Sequence, residues 1–600
     1  MSELIFSDKR DENKLLLRYS AFNFTHNLAS NCLQKIKNYD VYKLLIRSFP
    51  EKYIDLYYQK LFFESFSALG SQSVINYWHK KNEGDFLKKK IILNTFLPKK
   101  LLDSIWHIRE FNYQKTYKKE LFKELEYKIY PFYFKFKKYK NKLNIKNKNS
   151  KSSKSIIAVN YIEGHNLEKR NDIFWLKNSN IDPSSVLLYF ENKKRMLRYS
   201  GYDELTSELK KLSIRYVKLW EWSNVKEIDF LNDFLNKVQL IKPYDAIENW
   251  LLKDAKIFIL KMQYWYSFFH DHNVKIHINS DERGSSNIIR QIALTKLNGC
   301  SVGKLRSYPR SINGDWFAYY PNNTYFVWGE DTRDRMKKSG NYFDHLIISG
   351  YPYPDKANLK QKKLESIKNN FIKKGAKFII MLLDGAHMAN NDYRDQGVKT
   401  SAIINFYKNF FDWFNVDKEI GIIIKSKSYN ELKKLRELMK ILNPAEKTGR
   451  CYIAESFNEE PKHYTSIIDF SVGVACDMPT AVMQSILNGS KGIIFDYPNL
   501  KSIEKDMYSW GDKKVIFNDI EEIIKELKKY KKEPSLNKDL GNWSSKVDKI
   551  DSFRDGRGSQ RIGKYINLLQ NGFNNGLKSN DCLKYATDEY AKEWGRNKIS

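Results

Sequence analysis

Two lysines separated by a serine, Lys425-Ser-Lys427, follow directly on the apolar run Ile420-Gly-Ile-Ile-Ile424. An ammonium at the carboxyl end of a strand can neutralise a leaving diphosphate or monophosphate. Alternation along an extended chain would send both side chains the same way across Ser426. Further on, Asp477-Met-Pro-Thr480 opens a run in which Val482, Met483, Ile486 and Leu487 share one helical face. The first-turn N–H groups from Met478 to Thr480 have no intrahelical partner and, with the Thr480 hydroxyl, can hold a phosphate; Asp477 reads as the N-cap. Asp384-Gly-Ala-His387 follows a third apolar run, and Glu455-Ser456 follows Cys451-Tyr-Ile453, where a ribose or base would be read. Arg554 and Arg557 are spaced to clamp a phosphate, although Asp551 and Asp555 beside them can pair with both.

These residues sit at the ends of apolar runs, so strands must position them. The Thr465–Asp496 stretch reads as strand, tight turn, helix and strand: Ile467 to Val474, the Asp477 turn, a helix ending at Asn488-Gly489, and Gly492 to Asp496. Around it the pattern predicts strands at 377–383, 420–424, 451–453 and 514–517, with helices at Thr400 to Phe414, Glu431 to Leu442 and Ile520 to Lys529. An earlier series predicts strands at 156–161, 185–190, 214–219, 274–278, 324–328 and 345–349, with helices from Asn287 to Leu297 and Asp331 to Lys338. Alternation of this kind implies α/β architecture with two doubly wound, Rossmann-like domains at 155–352 and 353–570. Gly350-Tyr-Pro-Tyr-Pro-Asp355 marks the boundary. Residues 1–130 read as a mainly helical extension, 131–154 as a basic linker and 571–600 as a helical tail.

Six hundred residues exceed one core. Hydrophobic residues at 42% exclude general disorder. The formal charge of +32 admits nucleic acid or an anionic lipid surface as partner. The lysines are spread over all segments, and the Lys140–Lys154 run has no interleaved aromatics to stack on bases, which counts against nucleic acid. Cys32, Cys300, Cys451, Cys476 and Cys582 lack the paired spacing of a disulfide framework or a zinc site, as suits a cytoplasmic protein. Early charges argue against a secretory leader. The densest apolar run, Ile257 to Phe269, is short for a membrane span and contains Lys261.

The order and spacing of Arg170-Asn-Asp-Ile-Phe-Trp-Leu176, Val274-Lys-Ile-His277, Phe326-Val-Trp-Gly329 with Ile348-Ser-Gly-Tyr-Pro352, Ile424-Lys-Ser-Lys427, Asp477-Met-Pro-Thr-Ala481 and Phe553-Arg-Asp-Gly556 carry a resemblance. Over about residues 155 to 570 the chain resembles bacterial surface-carbohydrate (O-antigen-type) biosynthesis proteins of GT-B architecture, distant relatives of CDP-glycerol glycerophosphotransferases. The histidine motifs of the latter have no counterpart here, and Met-Pro-Thr-Ala stands where some surface-polysaccharide proteins carry Pro-Phe-Thr-Ser.

The resemblance implies a glycosyltransferase, with the first domain holding the acceptor and the second a nucleotide sugar. Asp384, Lys425, Lys427, Glu455, Ser456, Met478, Thr480 and Arg554 are then donor-binding candidates. The acceptor would be a surface polysaccharide or a lipid-linked one, met at the inner face of the plasma membrane. An inverting transfer needs a carboxylate or imidazole to take the acceptor proton. Glu163, His277, Asp281 and Glu282 are the candidates, with Asp281 and Glu282 also readable as first-turn helix acids. No aspartate pair of DxD spacing follows a strand, so neither a metal nor any cofactor beyond the nucleotide-sugar co-substrate is expected. The alternatives are CDP-polyol phosphate transfer, sugar-nucleotide epimerisation, a noncatalytic scaffold and a basic nucleic-acid-binding protein.

Overall fold

The computed structural model describes residues 17–64, 101, 156–162, 172–191, 193, 202–279, 284–308, 318–352, 361–384, 400–455, 459–474, 480–497, 501 and 508–600. Seven strands form the first sheet: β1 (Ile156–Asn160), β2 (Val186–Phe190), β3 (Arg215–Lys218), β4 (Val274–Asn279), β5 (Cys300–Lys304), β6 (Thr324–Val327) and β7 (His345–Ile348). Six form the second: β8 (Phe378–Leu383), β9 (Ile420–Ile424), β10 (Cys451–Ile453), β11 (Phe470–Val474), β12 (Lys491–Phe495) and β13 (Ile516–Phe517). Their orders are β3-β2-β1-β4-β5-β6-β7 and β10-β9-β8-β11-β12-β13, with every pairing parallel. Each sheet thus runs outward from its first strand, then reverses and runs outward on the other side. That is the doubly wound layout expected from the alternation.

Parallel strands covered on both faces must be apolar throughout, and β8 (Phe-Ile-Ile-Met-Leu-Leu) and β9 (Ile-Gly-Ile-Ile-Ile) are buried along their whole length. Strand β5 escapes a hydrophobicity reading because Cys-Ser-Val-Gly-Lys is small and mixed. Its Gly303 is needed where it lies, since a Cβ there would stand 2.5 Å from the Tyr325 ring. Strand β11 begins at Phe470 rather than Ile467, because Asp469 turns its carboxylate onto the Ile379 N–H at 2.7 Å. The helix expected from Glu431 to Leu442 is broken into Tyr429–Leu432 and Arg436–Lys447. The second piece runs through Pro444, whose neighbourhood is exposed, so water can satisfy the carbonyl left over.

The 26-residue helix Ala246–Asp271 covers one face of the first sheet; Asp245 caps it, accepting from the Ile247 and Glu248 N–H groups at 2.9 Å each. Outside it lie Leu17–Ile36, Asp40–Ser48 and a helix over residues 51–64. Tyr39 and Tyr57 donate to Asp245 and Asp254 at 3.0 and 3.3 Å, and Phe49 packs edge-on against Phe258. The described part of the extension is therefore an outer layer of the first domain, sharing its core. The polybasic stretch 140–154 lies outside the described residues.

The chain crosses back at its end. Helices Gly558–Asn574 and Ser579–Trp594 pack on the first sheet, where Tyr565 and Thr324 hydroxyls meet at 2.9 Å and Tyr590 donates to the Ile348 carbonyl at 2.7 Å. Ile599 then bridges Ile347 antiparallel. Sequence reading divided these helices between the second domain and a tail; local periodicity does not reveal which sheet a helix rejoins. No helix among the described residues is long and apolar enough to cross a membrane.

Candidate active site

In an open parallel sheet, ligands bind beyond the carboxyl ends of the strands, where the order reverses. Here that is between β1 and β4 and between β8 and β11, and the two carboxyl edges meet. In the loop after β5, Tyr308 donates its N–H to the Thr480 hydroxyl oxygen at 3.0 Å, at the start of the helix Thr480–Leu487 that follows β11. Gln484, one turn on, donates to the Tyr351 hydroxyl at 2.7 Å, just past β7. Tyr308 is itself held by its hydroxyl on Asp331, which Arg335 also reaches at 2.9 Å. Thr480, selected for a phosphate, thus accepts from the opposite domain and keeps its O–H to donate.

The crossover behind this contact is tightly bonded. Asp551 is buried and accepts from the N–H groups of Tyr351, Phe553 and Arg554 at 3.2, 3.1 and 3.1 Å; burial raises its pKa and these bonds oppose the rise. The Arg561 guanidinium lies 3.5 Å from the Phe553 ring centroid, bonds the Ser349 carbonyl at 3.2 Å and pairs with Asp555. Arg554 sits in the left-handed region at φ 50°, with its guanidinium exposed and 3.5 Å from Asp548.

Asp384 follows β8 and is buried. It accepts from the Lys427 N–H at 2.9 Å and the Tyr407 hydroxyl at 3.1 Å, which joins the ends of β8 and β9. Strand β9 stops at Ile424, and the Ser426 hydroxyl receives the Ser428 N–H at 3.2 Å, so the chain turns. Alternation therefore does not continue past the strand: Lys425 is half-buried with its ammonium on the Ser426 carbonyl at 2.8 Å, while Lys427 is exposed. Burial pushes the Lys425 pKa down, against the pull of Asp384, Glu459 and Glu460. Glu455, past β10, is exposed and hydrogen-bonded to Tyr429, whose phenol that contact and burial push up to about 12. A further carboxylate, Glu459, acts on Lys425 and was not singled out from sequence. It is buried, receives Lys363 at 2.6 Å and the Tyr452 and Tyr464 hydroxyls, and these outweigh burial to hold its pKa below the usual range. The available signal was its place, six residues past a predicted strand. Ser456 and Met478, with Asp477, lie outside the described residues.

On the first sheet, His277 is fully enclosed. Its Nε2 meets the Tyr189 hydroxyl at 2.7 Å, its ring lies near Phe269, and burial, then the Arg290 charge, holds its pKa well below the usual value. An imidazole so placed has its Nε2 engaged by Tyr189 and resists protonation, which makes it a poor acceptor for a substrate proton. The strand-end position that recommended it says nothing of which face the side chain takes. Glu163, Asp281 and Glu282 lie outside the described residues. Among the described residues no group of three or more His, Cys, Asp or Glu side chains could hold a metal ion.

Two doubly wound sheets with facing carboxyl edges, tied by a returning C-terminal helix, make this a protein of GT-B layout. No protein-family model matches the chain, and no curated protein matches it in sequence. Similar solved structures include MnaA of S. aureus with UDP (9% identity, 70% of this chain and 97% of that one, TM-score 0.42). UDP-GlcNAc 2-epimerase of Neisseria meningitidis bound to UDP-GlcNAc has 10% identity over 69% of this chain and 99% of that one, with TM-score 0.40. For the wall teichoic acid polymerase TagF the figures are 12%, 74%, 98% and 0.39.

Proposed function

We propose that this chain is a glycosyltransferase that moves a sugar from a nucleotide donor held by the second domain to a hydroxyl of a surface polysaccharide or lipid-linked acceptor held by the first. The observation that carries the reading is the meeting of two carboxyl edges at the Tyr308–Thr480 bond, which gives one cleft with a ligand-binding sheet edge on each side. On the second edge, Lys425 and Lys427 supply positive charge for a departing nucleoside phosphate, and Asp384 fixes the turn that carries them. Glu455, held by the Tyr429 hydroxyl, offers a carboxylate acceptor to a ribose. With His277 enclosed, the group that takes the acceptor proton is proposed among Glu163, Asp281 and Glu282. We place the work at the cytoplasmic face of the plasma membrane, where the net charge of +32 favours peripheral contact with anionic lipid. Calorimetry of the full chain against UDP-, GDP-, CMP- and CDP-linked donors tests the reading. Binding of one of them is expected, absence of all four overturns it, and product mass separates sugar transfer from polyol-phosphate transfer.

A further inference from the structure

At the carboxyl end of β1, the central strand of the first sheet, stands a polar group with no partner. Asn160 is 2% exposed and its Nδ2 makes no hydrogen bond. Buried amide hydrogens are paired in almost every folded protein, because leaving them unpaired costs free energy that folding does not recover. The surroundings are not apolar. Asn160 is in register with Tyr189 on β2, and Ala158 with His277 on β4, so these side chains share one face of the sheet. Tyr189 and His277 bond to each other across β1, on the face where Ala158 leaves room.

Above them an ion pair spans the same strand. Glu191, the first residue past β2, meets Arg290 at 2.5 Å, and Arg290 belongs to the helix Ser286–Lys296 that follows β4. The strand between β2 and β4 is β1. Arg290 is buried, stacked 4.3 Å from the Trp265 ring centroid and bonded to Asn287 at 2.8 Å, whereas the Glu191 side chain keeps 35% of its surface exposed. The pair thus sits at the order reversal of the first sheet, with its carboxylate toward solvent and its guanidinium inside.

We infer that Asn160 and Glu191 form a subsite for a neutral polyhydroxyl group, the sugar or polyol end of the acceptor, with Arg290 positioning the Glu191 carboxylate. The inference deepens the proposed function and rests on its assignment of the acceptor to the first domain. A hydroxyl oxygen can take the Asn160 N–H, and a neighbouring hydroxyl can donate to Glu191; only a group that both accepts and donates serves the two together. Arg290 already has its counter-charge, so the subsite does not call for an anion.

The test is saturation-transfer NMR on the full chain with glycerol and ribitol as probes, on wild type, N160L and E191Q, with thermal midpoints recorded alongside. Wild type is expected to give a polyol signal, E191Q to reduce it several-fold, and N160L to abolish it while raising the midpoint, since the unpaired amide is gone. No signal from wild type, or equal signals from wild type and N160L, overturns the inference. Nucleotide calorimetry on the same samples separates the two readings: failure of donor binding in wild type sinks the proposed transferase, and retained donor binding with unchanged polyol signals sinks only the subsite.

Discussion

Replacing His277 with Gln keeps an acceptor for the Tyr189 hydroxyl but removes the titrating imidazole. In the folded chain burial and Arg290 hold that imidazole neutral well below its usual pKa of 6.5, whereas in the unfolded chain it titrates there. A depressed folded value means that stability is complete above 6.5 and is lost as pH falls below it, because only the unfolded state takes up the proton. Protonating the unfolded imidazole is worth about 0.2 kcal/mol at pH 7 and about 1.4 kcal/mol at pH 5.5, so acidification across that interval costs about 1.2 kcal/mol through this residue. His272, pushed down to about 4 chiefly by burial, adds a similar loss in the same window and is untouched by the change. H277Q should therefore retain a pH dependence but lose a share equivalent to a midpoint shift of about 0.5 M urea. Pulse-labelling hydrogen exchange of the β4 peptide along urea series at the two pH values measures it locally, since a two-domain chain need not unfold in one transition. Equal acid losses in wild type and H277Q would refute the reasoning, show that the folded imidazole titrates, and restore His277 as a candidate base.

The donor edge and the crossover give further expectations. D384N leaves one of two donors, the Lys427 N–H or the buried Tyr407 hydroxyl, unpaired, and should destabilise the second domain by about 1–3 kcal/mol in thermal unfolding. G558A would place a Cβ 2.4 Å from the Tyr351 carbonyl oxygen, a backbone atom that cannot swing away. We expect a loss of about 1–3 kcal/mol and easier proteolytic release of the last two helices. K425M and K427A should each weaken nucleotide binding about tenfold by calorimetry, the loss of one charge-assisted contact to phosphate. Transfer in excess EDTA should match transfer without it; abolition by chelator and rescue by a divalent cation would show that a metal, rather than the lysines, carries the leaving-group charge.

Much of the fold was legible because parallel strands buried on both faces leave continuous apolar runs, as in β8, β9 and β12. The two alternating series also announced two doubly wound domains. The misses have physical causes. Strand β5 is built of small and mixed residues, and Gly303 is there to make room for Tyr325. The late start of β11 goes with a side chain that competes for a backbone group, Asp469 onto the Ile379 N–H.

What the sequence by itself determined about this protein is which residues stand at strand ends, since chain order alone puts Asp384, Lys425 and Glu455 just after apolar runs. It could not determine which way those residues face. Hydrophobic patterning is a local quantity, and orientation past a strand end depends on partners far along the chain. Only the tertiary structure turned His277 into the core against Tyr189, gave the Thr480 hydroxyl to Tyr308 of the opposite domain, and returned the last helices to the first sheet. It alone drew Glu191 and Arg290 together across β1, nearly a hundred residues apart in the chain, over an asparagine that the sequence shows only as the polar end of a strand.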